Sequence, residues 1–226
     1  MGTILFHGSE AWKLAYPAAA VGILALGNVS NPERNADLDR IKSDLEEQVR
    51  GYATKGELRA DPRLEAYRAY YKGFRKTYHV QMQLESIAFK GKSIPHVAAL
   101  VEAMFIAELQ DRLLTAGHDL DLVEPPVRVD VAQGTERFVR MNGQEQELKA
   151  GDMFIADAQG VLSTIIYGPA SRAQILPGTR RVLFTVYAVP GIGGEAVRQH
   201  LQTIQSYVRL IAPESVTELF EVVGSG

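Results

Sequence analysis

Apolar side chains recur at helical spacing in four segments, and a residue suited to begin a helix precedes each one. These preceding positions are Asn31-Pro32, Asp61-Pro62, Ser93 and Gly191–Gly194. Gly51 is placed to end the first helix. The stripes predict four amphipathic helices, carried by Leu38, Ile41, Leu45 and Val49; by Leu64, Tyr67, Tyr71 and Phe74; by Val97, Leu100, Val101, Met104, Phe105 and Leu109; and by Val197, Leu201, Ile204, Val208 and Ile211.

Short apolar runs rich in β-branched residues predict strands, most of them after residue 117. The predicted strands are Thr3–Phe6, Ala20–Leu26, Val127–Val131, Glu136–Val139, Asp152–Ile155, Gly160–Tyr167, Arg181–Val189 and Leu219–Val223. Because the helices precede most of the strands, the order indicates an α+β fold rather than repeated βαβ units. We expect one domain over residues 1–226, with a helix-rich part at about 1–116, a strand-rich part at about 117–190 and a closing helix and strand at 191–226.

The longest apolar stretch, Leu14–Leu26, is shorter than the roughly 20 residues of a membrane helix and contains Pro17. Lys13 gives this stretch some likeness to a signal peptide, but no small-residue cleavage site follows it, so a buried strand at Ala20–Leu26 is favoured. The chain contains no cysteine, which excludes disulfides, thiolate metal sites and a cysteine nucleophile. We therefore expect a cytoplasmic protein that does not span a membrane.

The net charge of −3 hides a basic stretch from Arg50 to Lys92, which holds ten Lys/Arg and four Asp/Glu. A polyanionic partner is expected to contact this stretch, although charged residues of this kind also form ordinary solvated helix faces. The same stretch contains five aromatic residues, which either stack on nucleic-acid bases or, at helical spacing, form core: Tyr67, Tyr70, Tyr71, Phe74 and Tyr78.

Motifs with a defined chemistry are scarce. The chain has no HExxH, GxSxG, GxxxxGK[ST] or GxGxxG pattern that would indicate a zinc protease, a serine hydrolase or a nucleotide site. In Gly117–Asp121, His118 stands beside Asp119 and Asp121, which fits either a turn with capping aspartates or an acid–base or metal site. Gly191–Gly194 before the last helix is interpreted as a helix start rather than an anion site. We expect no metal and no cofactor.

The order of several short motifs resembles the B3/B4 domain of the phenylalanyl-tRNA synthetase beta subunit, and especially freestanding relatives of that domain. The motifs are Lys90-Gly-Lys-Ser-Ile94, His118-Asp-Leu-Asp121, Gly134-Thr-Glu-Arg-Phe138, Gly151-Asp-Met-Phe-Ile-Ala-Asp157, Gly160-Val-Leu162 and Thr179-Arg-Arg-Val-Leu-Phe184. The resemblance implies an α+β fold of mixed and antiparallel sheets with flanking helices and a cleft between two subdomains. It also implies editing, in which the ester of a mischarged aminoacyl-tRNA is hydrolysed.

The resemblance implies six site residues. Glu145 aligns with a family glutamate that would accept a hydrogen bond from a hydroxylated side chain, and its alternative is a solvated turn. Thr179 would hold water or ester, or else cap a hairpin. Ser163 and Thr164 would line the cleft, or simply form a strand face. Arg68 would contact phosphate or ribose, or else form a helix ion pair, and His118 would replace a missing family histidine.

Three departures separate this chain from the synthetase pattern. Ala116 stands where the family has a histidine, and His118 stands at the place of the family aromatic. The long helix reads Ala98-Ala99-Leu100-Val101-Glu102 and lacks the family aspartate and asparagine. Ile165–Pro169 replaces a glycine-rich run that would let the backbone approach a ligand closely.

Three functions follow as hypotheses. The first is tRNA binding with hydrolysis of mischarged aminoacyl-tRNA in trans, without ligase activity, favoured by a large cleft in which Glu145 and Thr179 converge. The second is a non-catalytic module for RNA or an amino-acid-like ligand, favoured by a filled cleft. The third is a small-molecule acyl hydrolase, favoured by a solvated His118 beside Asp119 or Asp121. The partner expected under the first is tRNA or aminoacyl-tRNA, and the sequence leaves the oligomeric state open.

Overall fold

The computed structural model describes residues 5–224 and contains two main sheets with helices packed around them. The helices are α1 (Glu10–Ala15), α2 (Ala36–Arg50), α3 (Lys55–Arg59), α4 (Pro62–Gly73), α5 (His79–Lys90), α6 (Ala99–Asp111) and α7 (Gly194–Ile211). The strands are β1 (Phe6–Gly8), β2 (Ala20–Gly27), β3 (Leu114–Asp119), β4 (Val127–Val131), β5 (Arg137–Val139), β6 (Glu145–Glu147), β7 (Met153–Asp157), β8 (Gly160–Thr164), β9 (Gly168–Pro169), β10 (Arg181–Ala188) and β11 (Val216–Gly224).

The sheets are mixed and antiparallel, which confirms the predicted α+β class. One sheet has the order β1-β4-β7-β8-β9, and only its β1–β4 pair is parallel. The other is wholly antiparallel, with the order β11-β2-β10-β3. The strand at Ala20–Leu26 forms as predicted and every residue of β2 is buried, so this apolar run belongs to the centre of a sheet. Of the predicted strand Thr3–Phe6, residues 3 and 4 lie outside the described part.

Two of the four predicted helix starts need correction, those of α2 and α6. Asp61 caps α4 as predicted, but α2 begins at Ala36 with Asn35 as its cap. Asn31 instead reaches across to α6, where its side-chain oxygen accepts from the backbone N–H of Leu100 at 2.9 Å. Ser93 does not begin α6, because Pro95 lacks an N–H and favours extended backbone before it. The helix starts at Ala99 after Ala98, whose side chain makes no capping bond, and the distant Asn31 satisfies the N–H of Leu100 instead.

The segment around His118 is also corrected. The turn predicted at Gly117–Asp121 begins as a strand, since β3 pairs with β10 through Asp119. The capping interpretation of Asp119 holds locally, because its carboxylate accepts from the backbone N–H of Asp121 at 3.1 Å. The strand was missed because its apolar residues follow directly on the apolar stripe of α6. Helices α1, α3 and α5 were also not predicted.

A buried hydrogen-bonded chain fixes α7 against the sheet. Thr115 Oγ1 on β3 lies 2.7 Å from His200 Nε2 on α7, and His200 Nδ1 lies 2.8 Å from Asp111 Oδ2 at the end of α6. Thr115 and His200 are both buried. The chain therefore anchors α7 to β3 and α6. None of the helices within residues 5–224 combines the length and apolar character needed to cross a membrane.

Gly22 on β2 permits the close packing of α7, which gives a stability prediction. A Cβ at Gly22 would lie 2.4 Å from Val197 Cγ1 and 3.0 Å from Leu201 Cδ1, so Gly22→Ala forces α7 away from the sheet. We expect Gly22→Ala to lower the free energy of unfolding by about 1–3 kcal/mol, measured by urea denaturation. Gly73→Ala is the matched control, because nothing lies within 4 Å of the added atom. An unchanged midpoint for Gly22→Ala would contradict the packing described.

Candidate functional site

A pocket of about 580 Å³ opens between the end of α4 and the loop before β7. Tyr16, Tyr70, Phe74 and Arg75 line it from the helical side. Lys149, with Ala150, lines it from the loop before β7. The pocket therefore lies between the end of α4 and the loop that leads into β7.

Three aromatic rings form the wall on the helical side. Tyr70 and Phe74 are four residues apart at the end of α4, and their ring centroids lie 5.1 Å apart. Tyr16, just after α1, places its ring 5.8 Å from Tyr70, and its hydroxyl donates to the carbonyl of Gly151 at 2.5 Å. The rings are thus held by α4 and by a hydrogen bond to the opposite side, which keeps the aromatic surface in place.

Two cations stand at this aromatic wall. Arg75 adopts left-handed backbone (φ 56°) directly after α4, which turns the chain at the pocket. Lys149 Nζ donates to the backbone carbonyl of Phe74 at 3.0 Å, so its charge lies at the end of α4. The described residues that line the pocket include no acidic side chain, which leaves the surface positively charged.

A buried carboxyl lies directly behind the wall. The Tyr70 hydroxyl donates to Asp152 Oδ1 at 2.9 Å, and the backbone N–H of Met153 donates to that hydroxyl at 2.6 Å. Burial raises the pKa of Asp152 to about 7, because the ionised form is poorly solvated there. The pocket is therefore backed by a group that changes charge near neutral pH.

Ser163 lies deep between the two sheets, whereas Thr164, the next residue on β8, is buried on the opposite face of that strand. The Ser163 hydroxyl is 2.7 Å from the Tyr187 hydroxyl, which also accepts from the backbone N–H of Ile155. Thr164 accepts from the N–H of Tyr167 at 2.9 Å. Both side chains are fully buried. At Ser163 the inter-sheet space is filled by side chains.

Thr179 and His118 lie on opposite faces of the four-stranded sheet. The Thr179 hydroxyl donates to Asp119 Oδ2 at 2.6 Å and accepts from the N–H of Leu176 at 2.9 Å, as in a turn. His118 precedes Asp119 on β3, so its side chain points the other way, into the inter-sheet space. The structure does not bring these two residues together.

The last two residues are placed at the surface of the strand-rich and helical parts. Glu145 is exposed on β6, in the two-stranded hairpin with β5. Arg68, half-buried on α4, donates to the carbonyl of Arg59 at 3.1 Å, which ends α3. The roles assigned to all six residues therefore rest on the resemblance alone.

The aromatic run divides between the core and the pocket, and stacking on nucleic-acid bases stays a prediction. Tyr67, Tyr71 and Tyr78 are buried in the core, whereas Tyr70 and Phe74 line the pocket. Tyr16, Lys149 and Asp152 were missed as site residues, because they belong to segments far from α4 in sequence. The signal available for Asp152 was its place in the Gly151–Asp157 motif.

One group of ligand-type side chains in residues 5–224 has the spacing of a metal site: Asp39, His96 and Glu102. The ammonium of Lys42 lies among them, hydrogen-bonded to Glu102, 2.8 Å from His96 Nδ1 and 3.4 Å from Asp39 Oδ1. Lys42 and Glu102 are both buried. This cluster is an internal ion pair between α2 and α6, since the lysine already supplies its positive charge.

Comparisons with known proteins agree with this fold. The B3/4 domain matches residues 64–221 of the sequence. The chain belongs to the B3/4 domain family. Among solved structures, it is similar to an N-terminal fragment of the phenylalanyl-tRNA synthetase beta-subunit from Pyrococcus horikoshii, with a TM-score of 0.50 and 13% identity. That similarity covers 98% of this chain and 50% of the fragment, so the chain spans about half of the fragment's length. Comparison with curated proteins gives no match.

His118 gives a prediction for stability. Neither ring nitrogen has a hydrogen-bond partner among the described residues, and burial lowers the pKa of His118 to about 4. The B3/4 resemblance implies an aromatic at this place, so His118→Phe is expected to raise the free energy of unfolding by about 1 kcal/mol at pH 7.

The advantage of His118→Phe is expected to grow as the pH falls. The unfolded histidine takes up a proton from about pH 6.5 downward, whereas the folded one resists protonation until pH 4, so the wild type loses stability between these values. At pH 5 the extra difference amounts to about 2 kcal/mol. Urea unfolding at pH 7 and pH 5 measures it, and an equal difference at both values would contradict the burial of an unpaired His118.

Proposed function

We propose that this chain binds the unpaired 3′ end of a tRNA in the pocket between α4 and the loop before β7. The observation that carries the proposal is the combination of three aromatic rings with Arg75 and Lys149 on one pocket. Single-stranded nucleic acid is bound by this combination, because rings stack on bases and cations neutralise phosphates. Membership of the B3/4 family, which occurs in a tRNA synthetase subunit, supports tRNA as the nucleic acid.

The charge of the pocket supports the same partner. Neither Arg75 nor Lys149 forms an ion pair within the described residues, whereas Arg59 in the same basic stretch is paired with Glu85 at 2.7 Å. An unpaired cation is available to a phosphate without first losing a carboxylate partner. Lys76, next to Arg75, extends the positive surface and lies 5.7 Å from the Tyr167 ring centroid.

Removal of the two cations tests the binding site. The double variant Arg75→Gly with Lys149→Met is expected to weaken binding of a tRNA by about 10-fold and to reduce the salt dependence of the binding constant. Glycine suits the left-handed backbone at position 75, so the turn is kept. Fluorescence anisotropy with end-labelled tRNA over a range of salt concentrations measures both quantities.

Arg68→Met is the matched control, because Arg68 lies in the same basic stretch, does not line the pocket, and donates a hydrogen bond to the Arg59 carbonyl. It should bind tRNA as the wild type does. A tRNA lacking its 3′ CCA sequence should bind as weakly to the wild type as intact tRNA binds to the double variant. Loss of binding in Arg68→Met alone would contradict the pocket and favour the site implied by the resemblance.

Hydrolysis of the aminoacyl ester is the second candidate function, favoured by Asp152. A carboxyl that titrates near neutral pH suits general acid–base catalysis. Asp152 is fully buried and reaches the pocket through Tyr70, so it would act as a positioning residue rather than touch the ester. In the reaction, water adds to the ester carbonyl, the bond to the ribose oxygen breaks and a proton returns to that oxygen.

The filled inter-sheet space favours the non-catalytic form of the proposal, because Ser163 and Tyr187 occupy the region where the resemblance places the cleft. His118 is fully buried and makes no hydrogen bond to Asp119 or Asp121. A hydrolase with His118 as base is therefore not favoured by any contact in the described residues.

Deacylation of a panel of aminoacyl-tRNAs, with a chelator present, separates binding from hydrolysis. If Asp152 assists, turnover above the buffer rate should rise as the pH passes through about 7, because the carboxyl loses its proton there. Asp152→Asn should flatten this profile while leaving tRNA binding within about 3-fold of the wild type. If tRNA binds but no member of the panel is hydrolysed, the hydrolysis hypothesis is contradicted and the chain is a tRNA-binding module.

A further inference from the structure

A second pocket, of about 300 Å³, lies between α5, α6 and residues 92–95 and shares no lining residue with the first. Its walls are formed by Ile87, Ile94, Phe105 and Leu109, three of which are buried. Met82 stands on its rim with 48% of its surface exposed. The interior is thus apolar, and a flexible thioether lies beside the opening, as in pockets that adapt to a ligand.

Five polar residues line the pocket, and besides Ser86 and Ser93 there are three whose chemistry bears on a ligand. Lys92 lies at the pocket, is exposed, and forms no ion pair within residues 5–224. The side-chain oxygen of Gln83 is buried and has no hydrogen-bond partner among those residues. His79 faces the pocket, with Nδ1 3.4 Å from the Tyr71 hydroxyl. Burial lowers the pKa of His79 to about 4, so this ring is neutral at pH 7.

The unpaired oxygen of Gln83 points to a missing donor. A buried amide oxygen without a partner costs about 1–3 kcal/mol, and such groups are uncommon in native proteins. A ligand that brings an N–H or O–H group removes this cost. Lys92 favours an anionic group on the ligand, since an exposed ammonium beside an apolar pocket attracts negative charge.

We propose that this pocket binds a small aromatic carboxylic acid that carries a hydrogen-bond donor on its ring. The ring occupies the apolar space, the carboxylate pairs with Lys92 and the donor reaches Gln83. The size agrees, because an apolar cavity of about 150 Å³ holds a benzene ring and this pocket has about twice that volume. A nucleotide is disfavoured, because the pocket offers one cation and mostly apolar walls.

The sequence around the pocket agrees with a binding role. Lys92, Ser93 and Ile94 belong to the Lys90–Ile94 motif, which the proposed tRNA site does not use. Gly91 adopts left-handed backbone (φ 64°) after α5, and this turn directs residues 92–95 over the pocket. The motif therefore supplies both one wall and the cation.

Indole-3-acetate is the probe, because it joins an apolar ring, a ring N–H and a carboxylate. Isothermal titration calorimetry on the full chain should show binding at a single site. Lys92→Met should weaken it by about 10-fold, since a charge-assisted contact is lost. Lys90→Met is the matched control and should change nothing, because Lys90 precedes the pocket and does not line it.

Three analogues test each contact separately. Indole-3-acetamide, which has no charge, should bind equally to the wild type and Lys92→Met. 1-Naphthaleneacetate, which has no ring N–H, should bind more weakly than indole-3-acetate to the wild type but equally to the wild type and Gln83→Leu. Tryptamine, which carries a positive charge, should not bind.

The proposal is overturned if indole-3-acetate shows no heat of binding at about 1 mM. It is equally overturned if tryptamine binds as tightly, or if Lys92→Met and Lys90→Met behave alike. If Gln83→Leu lost binding but Lys92→Met did not, the proposed pairing of the ligand carboxylate with Lys92 would be wrong. Thermal melting of each variant separates loss of binding from loss of the fold.

Discussion

Three tyrosine hydroxyls tie α4 to β10 and to the segments beside β7 and β8, and the candidate site depends on them. Tyr67 donates to the carbonyl of Tyr187 on β10, Tyr70 to Asp152 before β7, and Tyr71 to the carbonyl of Ile165 at 2.7 Å. Burial raises the pKa of all three hydroxyls, so they remain donors throughout the ordinary pH range. With α4 fixed in this way, Tyr70 and Phe74 present a rigid aromatic wall to the loop that carries Lys149.

The same contacts explain why one aromatic run serves two purposes. Residues 67 and 71 lie on the face of α4 that enters the core, and residues 70 and 74 lie on the adjoining face at its edge. The hydroxyls bind backbone and carboxylate groups of the strands, which buries polar atoms without leaving them unpaired. Only the edge of the run is therefore available to a ligand, together with Arg75 where the helix ends.

The sequence predicted the fold well where the pattern is local. The apolar stripes of α2, α4 and α7, the cap at Asp61 and the buried strand β2 follow from periodicity and turn residues. The sequence-based prediction failed where a residue distant in sequence determines where a helix begins, as when Asn31 binds the first turn of α6 from another segment. The candidate site was harder still, because Tyr16, Phe74 and Lys149 meet only through tertiary packing. The spacing of these residues along the chain does not indicate that they lie close together in the fold.

Hydrogen exchange of the backbone, with and without tRNA, tests the central claim most directly. The account predicts that tRNA slows exchange at residues 70–76 and 149–152, which surround the aromatic and basic pocket. It predicts no change at the exposed β5–β6 hairpin that carries Glu145. The proposed site would be contradicted if tRNA slowed exchange only in that hairpin. It would also be contradicted if tRNA bound without slowing exchange in either region.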